Sequence, residues 1–388
     1  MKSKLSVILP VIVIAQFLCT SLWFAGNAVL PDLIKDFDLG KAALGHITSA
    51  VQFGFIFGTL SYASLMIADR FTPSLVFFIS AVLGSISNLG ITWGDQSMNS
   101  LMFMRFAAGF FLAGIYPVGM KIASDHFEKG LGKALGFLVG ALVVGTAFPH
   151  LLKSFSTSLS WKTVLYFTSA LCILGGFLIL ILVPDGPYQK RAQSIQLKAL
   201  YSVFKTKPFR VAAYGYFGHM WELYTFWAFV PVMLSTYMKF HDYVSLNVPS
   251  LSFIIIATGG LACVIGGYLS QRSGTSKVAF SALLLSGCCC VLSPFAFYLP
   301  VAPFISFLIF WGLVVIADSP LFSTLVAQNA ELQVKGTALT MVTCIGFSIT
   351  IVSIELLTYL SRVINPQFIF LFLALGPLAG LIYKVKAD

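Results

Sequence analysis

Six ionisable side chains lie inside apolar stretches long enough to cross a membrane: Arg105, His150, His219, Glu222, Asp318 and Glu355. Holding a charge away from water is costly, so such groups are candidates for binding a solute or carrying a proton. His219 and Glu222 are three residues apart and therefore share a helix face. Burial disfavours the charge on a carboxylate and a nearby cation restores it, a combination that suits proton coupling. The histidine either tunes that carboxyl or binds solute directly. A structural hydrogen-bonded pair between helices is the alternative for both. Trp221, Tyr224 and Trp227 on the same segment are candidates for lining a solute site, although aromatics at helical spacing also simply pack. Asp318 precedes Ser319-Pro320, where proline frees a carbonyl and kinks a helix. The aspartate then either lines a pathway or caps the broken helix. Asn27, in the run Trp23-Phe24-Ala25-Gly26-Asn27, is a candidate gate or solute contact, with helix-end polarity as the alternative. His150 and Glu355 sit towards span ends and rank lower.

The elements that position these groups follow from composition. The chain of 388 residues is 58% hydrophobic and 10% charged, with a mean hydropathy of +0.91. A soluble domain carries about 25% charged residues. Long unbroken apolar runs, rather than alternating ones, specify membrane helices and exclude a barrel. The runs predict twelve transmembrane helices, near 5–30, 45–66, 74–92, 100–123, 134–153, 162–183, 210–238, 250–270, 277–297, 301–326, 336–361 and 365–384. They form two six-helix bundles, 1–183 and 210–388, joined by a polar link at 184–209 whose middle, 194–204, reads as an amphipathic surface helix. The opening Met1-Lys2-Ser3-Lys4 precedes a run too long for a signal peptide, so it reads as the start of the first span.

The formal net charge of +10 points to topology rather than to nucleic acid. With the N-terminus inside, 17 of the 24 Lys and Arg face the cytoplasm and six face outward, leaving Arg105 within a span. That is the positive-inside bias, and it places both termini and the link in the cytoplasm. The seven cysteines all fall in spans without metal-site spacing and read as packing residues. The Gly-Lys pairs at 40–41 and 132–133 lack P-loop spacing, and no nucleophile or paired-carboxylate motif appears. The chain therefore reads as a non-enzyme, without cofactor or metal, whose energy source is an ion or solute gradient.

The chain also repeats itself. Asp69-Arg70 and Gln271-Arg272 occupy short polar loops between the second and third and the eighth and ninth runs, 202 positions apart (271 − 69). Gly132-Lys133-Ala134-Leu135 and Gly336-Thr337-Ala338-Leu339 open the fifth and eleventh runs, 204 apart (336 − 132). Two offsets in agreement indicate an internal duplication. The loops resemble the signature G-x-L-x-D-R-x-G-R-K of the major facilitator superfamily. The second copy keeps Gly267, Gly274 and Arg272, with Gln271 for the acid. The first keeps Asp69 and Arg70 but has Leu65, Thr72 and Pro73 where the pattern has Gly, Gly and Arg. The fourth run, with Arg105, Gly109, Gly114 and Gly119, resembles the family's fourth-helix motif, in which small residues let backbones approach. The fifth run has Gly140-Ala141 and Gly145-Thr146 where proton-driven drug exporters of the family carry Gly-Pro.

The resemblance implies two bundles that rock about a central cavity, moving a small-molecule substrate by alternating access, as a monomer in the inner membrane. It implies that Asp69, Arg70, Gly267, Gln271, Arg272 and Gly274 latch the cytoplasmic side, and it puts Arg105 on the cavity. Arg105 opposite His219, Glu222 and Asp318 suits a small anion or zwitterion entering with protons, near the anion and cyanate-permease-like branches. Glu222 and Asp318 are then the proton-coupling residues. The alternative is a proton-coupled exporter of drugs, metabolites or a metal ion. A transporter-like sensor that binds without transport has no use for a buried glutamate.

Overall fold

Inside a bilayer a backbone amide finds no water, so each apolar run closes its hydrogen bonds on itself as a helix. The structure, a computed structural model, describes residues 2–40, 42–127, 131–155, 160–189, 203–331 and 334–387, and every regular element among them is helical. Two compact units result, residues 1–194 and 195–388.

The first unit holds six spans: Lys2–Thr20, Ala43–Ser64, Pro73–Gly90, Met98–His126, Leu131–Phe155 and Lys162–Leu182. The second holds Lys207–Phe240, Val248–Ser273, Thr275–Ala296, Val301–Asn329, Lys335–Val363 and Pro366–Ala387. They are numbered first to twelfth below. Ten are long and apolar enough to cross a membrane by length and composition. Of the other two, the first has a shorter apolar stretch, Val7–Thr20, and the seventh, Lys207–Phe240, is the longest helix and carries His219 and Glu222. The amphipathic helix expected at 194–204 lies outside the described residues for nearly all its length.

Three expected helices are broken. The first stops at Thr20, turns through residues 21–24 and resumes as Ala25–Ala28 and Leu30–Asp36. The fourth breaks between Leu112 and Tyr116, and the tenth at Asp318. Pro117 and Pro320 each sit in the first turn of the helix that restarts, where a missing amide hydrogen costs nothing.

The duplication read from the sequence reappears as packing. In the first unit the second span lies on the fourth, the third on the sixth, and the first on the fifth and sixth. In the second unit the eighth lies on the tenth, the ninth on the twelfth, and the seventh on the eleventh and twelfth. Even the point of closest approach repeats. A Cβ added at Gly109 would collide with the carbonyl of Val51, and one at Gly312 with that of Ile255. These pairs are 203 and 204 residues apart (312 − 109 and 255 − 51). Backbones that meet this closely leave no room for a side chain, and a carbonyl within a helix cannot swing aside.

Gly109→Val and Gly312→Val are accordingly expected to destabilise their units by about 1–3 kcal/mol or more. Size-exclusion profiles of detergent extracts check this, with Gly136→Ala as the tolerated control because a Cβ at Gly136 meets nothing within 4 Å.

Polar ties lock the paired spans. Asn88 Nδ2 of the third donates to Ser169 Oγ of the sixth at 3.0 Å and to Thr168 Oγ1 at 3.2 Å. In the second unit Thr350 Oγ1 of the eleventh donates to Met220 O at 2.7 Å, and Trp221 Nε1 donates to Phe372 O at 2.9 Å. Ties of this kind in membrane proteins average about 0.6 kcal/mol each, enough to fix rotation rather than to drive folding. They set which face of the seventh span looks inward.

Candidate functional site

That inward face carries His219 and Glu222, both about 1% exposed. Although neighbours on one helix, they engage different partners. His219 Nδ1 lies 2.7 Å from Asp318 Oδ1, both side chains being buried. Asp318 sits where the tenth span breaks, and its carbonyl accepts from Leu321 N and Phe322 N. The pairing of His219 with Glu222, one of the two sequence readings, gives way to a His219–Asp318 pair between the seventh and tenth spans. Among the described residues His219 Nε2 and Asp318 Oδ2 make no hydrogen bond.

Glu222 is held by three donors from two other helices. Trp311 Nε1 donates to Oε1 at 2.6 Å and Cys290 Sγ donates to the same oxygen at 3.3 Å. Ser286 Oγ donates to Oε2 at 2.9 Å. Phe226 packs on Trp311 with centroids 4.6 Å apart and the rings tilted by 34°, bracing the indole. None of the three donors was a candidate in the sequence. Serine, cysteine and tryptophan are ordinary in membrane helices, and only the four-residue spacing of Ser286 and Cys290 puts them on one face. Cys290 thus has a role beyond packing, while Cys288 in the same run is exposed.

Tyr224 and Trp227 are buried and packed edge to face on each other at 5.2 Å, and Tyr224 meets Phe347 at 5.1 Å. They stand two and five residues after Glu222 on the same helix (224 − 222 and 227 − 222), within the second unit. Glu355 is half-buried in the eleventh span.

In the first unit Arg105 is fully buried. The break in the first span explains how a cation is held there. A helix end frees carbonyls, and Arg105 Nη1 donates to Leu22 O at 3.0 Å while Nη2 donates to Trp23 O. Gly26 lies against the guanidinium: a Cβ there would sit 3.1 Å from Nε. Nε has no hydrogen-bond partner and no carboxylate pairs with Arg105 among the described residues. Its positive charge is therefore uncompensated by an ion pair. Asn27 Nδ2 donates to Thr48 Oγ1 at 2.7 Å, tying the broken first helix to the second span, and its Oδ1 is unbonded among the described residues. Gln16 and Gln52, which the sequence reading passed over, are buried amides also unbonded among those residues. His150, five residues before the end of the fifth span, is 3% exposed.

The residues expected to form a latch lie at two places, one in each unit. Asp69, in the short helix Ile67–Arg70, pairs with Lys121 Nζ at 3.2 Å, and Lys121 lies 3.5 Å from Asp125 Oδ2. The turn needs no glycine at 65 or 72 because Met66 takes the left-handed conformation, φ +50°. Arg70 is exposed. The second copy is not the loop the sequence suggested. The eighth span continues as helix through Gly267, Gln271 and Arg272 to Ser273, and Gly274 alone, at φ +88°, makes the turn. Because Lys121 joins Asp69 of the short helix to Asp125 on its own span, the fourth, Lys121→Met and Asp69→Asn are both expected to slow transport. A double-mutant cycle on thermal stability should show a coupling of about 0.5 kcal/mol or more.

A family model described as Major Facilitator Superfamily matches residues 12–354. The chain belongs to the major facilitator superfamily. Membership makes it a multi-pass membrane protein and a secondary transporter, not an enzyme. The 4-hydroxybenzoate transporter PcaK of Pseudomonas aeruginosa is 27% identical over 160 residues, 40% of this chain and 33% of that one. A glycerol-3-phosphate transporter of Bacillus subtilis is 22% identical over 160 residues, 40% of this chain and 36% of the relative. The match thus spans about a third of either relative. An uncharacterized MFS-type transporter of Bacillus subtilis, YceJ, is 23% identical over 283 residues, 70% of this chain and 69% of its own. Among solved structures, the bacterial homologue of the lysosomal transporter Spinster superposes with a TM-score of 0.72. It is 14% identical, and the alignment covers 100% of this chain and 96% of that one. The proton:xylose symporter XylE gives 0.73 at the same identity and coverage. At this identity the superfamily fold is what is shared.

Proposed function

We propose that this superfamily member moves a small organic anion or zwitterion across the inner membrane by alternating access, coupled to protons. In this reading residues 1–183 and 210–388 are the two bundles, linked at 184–209 on the cytoplasmic side, where both termini also lie. The protein acts as a monomer. The observation that carries the reading is the division of charge: a guanidinium in the first unit with no carboxylate partner among the described residues, and the carboxyls Glu222 and Asp318 in the second. Arg105 supplies the attraction for an anionic group, with Asn27, next to the Gly26 that lies against the guanidinium, as a hydrogen-bonding contact. Glu222 and the His219–Asp318 pair take up and release protons, and Tyr224 and Trp227 complete the solute contacts. The 4-hydroxybenzoate and glycerol-3-phosphate of the two named relatives are both organic anions, which supports the same class.

Export of lipophilic cations, metabolites or a metal ion is the competing reading. It needs an acidic solute site free of a fixed cation, which Arg105 disfavours.

A thermal-shift panel separates the two, since a ligand that binds only the folded state stabilises it by about 2.7 kcal/mol at a hundredfold excess over Kd. 4-Hydroxybenzoate, glycerol-3-phosphate, small dicarboxylates and amino acids are tested beside lipophilic cations, sugars and divalent metals. Stabilisation confined to anions or zwitterions supports the proposal. Stabilisation confined to cations or metals overturns it in favour of export.

A further inference from the structure

Glu222 faces two different kinds of neighbour on its two oxygens. Oε1 receives the indole N–H of Trp311 at 2.6 Å and the thiol of Cys290 at 3.3 Å. An indole N–H can only donate, so an oxygen facing it must remain an acceptor in every protonation state. A proton on that oxygen would point at another hydrogen. Oε2 faces Ser286 Oγ at 2.9 Å, and a hydroxyl has one hydrogen to give and two lone pairs to receive with. Ser286 Oγ also lies 3.1 Å from the carbonyl of Leu283, one turn earlier in the ninth span. Its single hydrogen therefore has two acceptors within reach and can serve only one at a time.

We propose that Ser286 is a hydroxyl rotor that lets Glu222 gain and lose a proton at Oε2 without any other group moving. This rests on the coupling role proposed for Glu222 and names the positioning residue for it. When Glu222 is charged, the Ser286 hydrogen points to Oε2. When a proton arrives on Oε2, the new O–H donates to Ser286 Oγ, and the serine hydrogen turns to Leu283 O. No bond within Ser286 breaks, and each state has every donor matched to an acceptor. Trp311 holds Oε1 in place in both states. A buried carboxyl served in only one of its states would leave an unpaired polar group in the other and would resist titration.

The groups around Glu222 do not offer a second such device. His219, on its own helix, is engaged by Asp318 of the tenth span. Cys290 shares the oxygen reserved by Trp311, and Cys289 lies on the adjoining position of the same helix. Cys263 of the eighth span turns its thiol to Ile316 O at 3.6 Å. The eleventh span meets the seventh through Thr350 and Ser353, its one carboxyl, Glu355, being half-buried two residues on. The twelfth meets it through the Phe372 carbonyl.

The test is a pH-dependent infrared difference spectrum of the full chain in lipid, reading the carbonyl band of the protonated acid. The band belonging to Glu222 is the one lost in Glu222→Gln. Ser286→Ala is expected to displace its titration midpoint by about one to two pH units and to move the band to higher wavenumber, as an acid without an acceptor does. Ser286→Thr, which keeps the hydroxyl, is expected to retain the wild-type midpoint. A wild-type midpoint and band in Ser286→Ala would overturn the proposal. Equal displacement in Ser286→Thr would assign the effect to packing and overturn it as well. If Glu222→Gln removes no titrating band, the coupling role itself fails, and that outcome is distinguishable because it precedes any comparison at Ser286.

Discussion

Glu222→Gln is expected to reduce pH-gradient-driven transport to background while the protein remains folded. The substitution is close to a frozen copy of the protonated state. The amide oxygen can accept from Trp311 Nε1, 2.6 Å from Oε1 in the wild type. The amide nitrogen can donate to Ser286 Oγ, which in turn reaches Leu283 O. With every hydrogen bond retained, thermal stability should change by no more than about 1 kcal/mol. What is lost is the capacity to ionise. Flux in proteoliposomes should therefore become independent of pH, and solute exchange in the absence of a gradient should survive. A variant that is still driven by a proton gradient, with the wild-type pH profile, would remove Glu222 from the coupling step.

Arg105→Leu is expected to have the second large effect, on ligand binding and on the first helix together. The internal repeat supplies the rationale for leucine. The offset of 203 that relates Gly109 to Gly312 relates Arg105 to Leu308, which is buried in the second unit. An apolar side chain at this point of the scaffold is therefore compatible with the packing. The carbonyls of Leu22 and Trp23 would lose the guanidinium as a donor, at about 1.5–3 kcal/mol for each hydrogen bond to a charged group. The melting temperature should fall accordingly, and stabilisation by anions should vanish rather than merely weaken. Arg105→Lys keeps the charge but not the forked geometry, so it should retain part of the anion response while losing one of the two carbonyl bonds. Full anion stabilisation in Arg105→Leu would make the arginine a cap for the broken helix and nothing more.

The duplication was legible because apolar spans make every polar residue conspicuous. Asp69, Arg70, Gln271 and Arg272 stand out against their surroundings, and their offset of 202 is close to the 203 and 204 that relate the contacts of Gly109 and Gly312. Glycine spacing in the fourth span likewise announced a close approach. The breaks were less visible. Nothing in Thr20-Ser21-Leu22-Trp23 marks a turn, whereas Ser319-Pro320 does mark one. Gly267 and Gly274 suggested a loop of eight residues, but a polar helix end looks the same in sequence as a polar loop.

At the site, the charged members were legible in the sequence and their partners were not. Arg105 binds main-chain carbonyls, which carry no side-chain signature at all. His219 and Glu222 are neighbours by spacing, yet side chains three residues apart diverge enough to meet different partners. His219 met Asp318 of the tenth span; Glu222 met the ninth and tenth. Ser286, Cys290 and Trp311 became visible only when three helices were brought together. The asymmetry of chemistry across the repeat, arginine in one half and carboxyls in the other, is the feature on which the functional reading turns.

The most direct measurement of that reading is solute-linked proton movement in proteoliposomes loaded with a pH-sensitive dye. Small carboxylates and organophosphates, 4-hydroxybenzoate and glycerol-3-phosphate among them, are added outside in turn. The account predicts that at least one anion acidifies the lumen as it enters, with the signal absent in both Glu222→Gln and Arg105→Leu. Anion entry without any pH change, or a pH response to lipophilic cations alone, would contradict it.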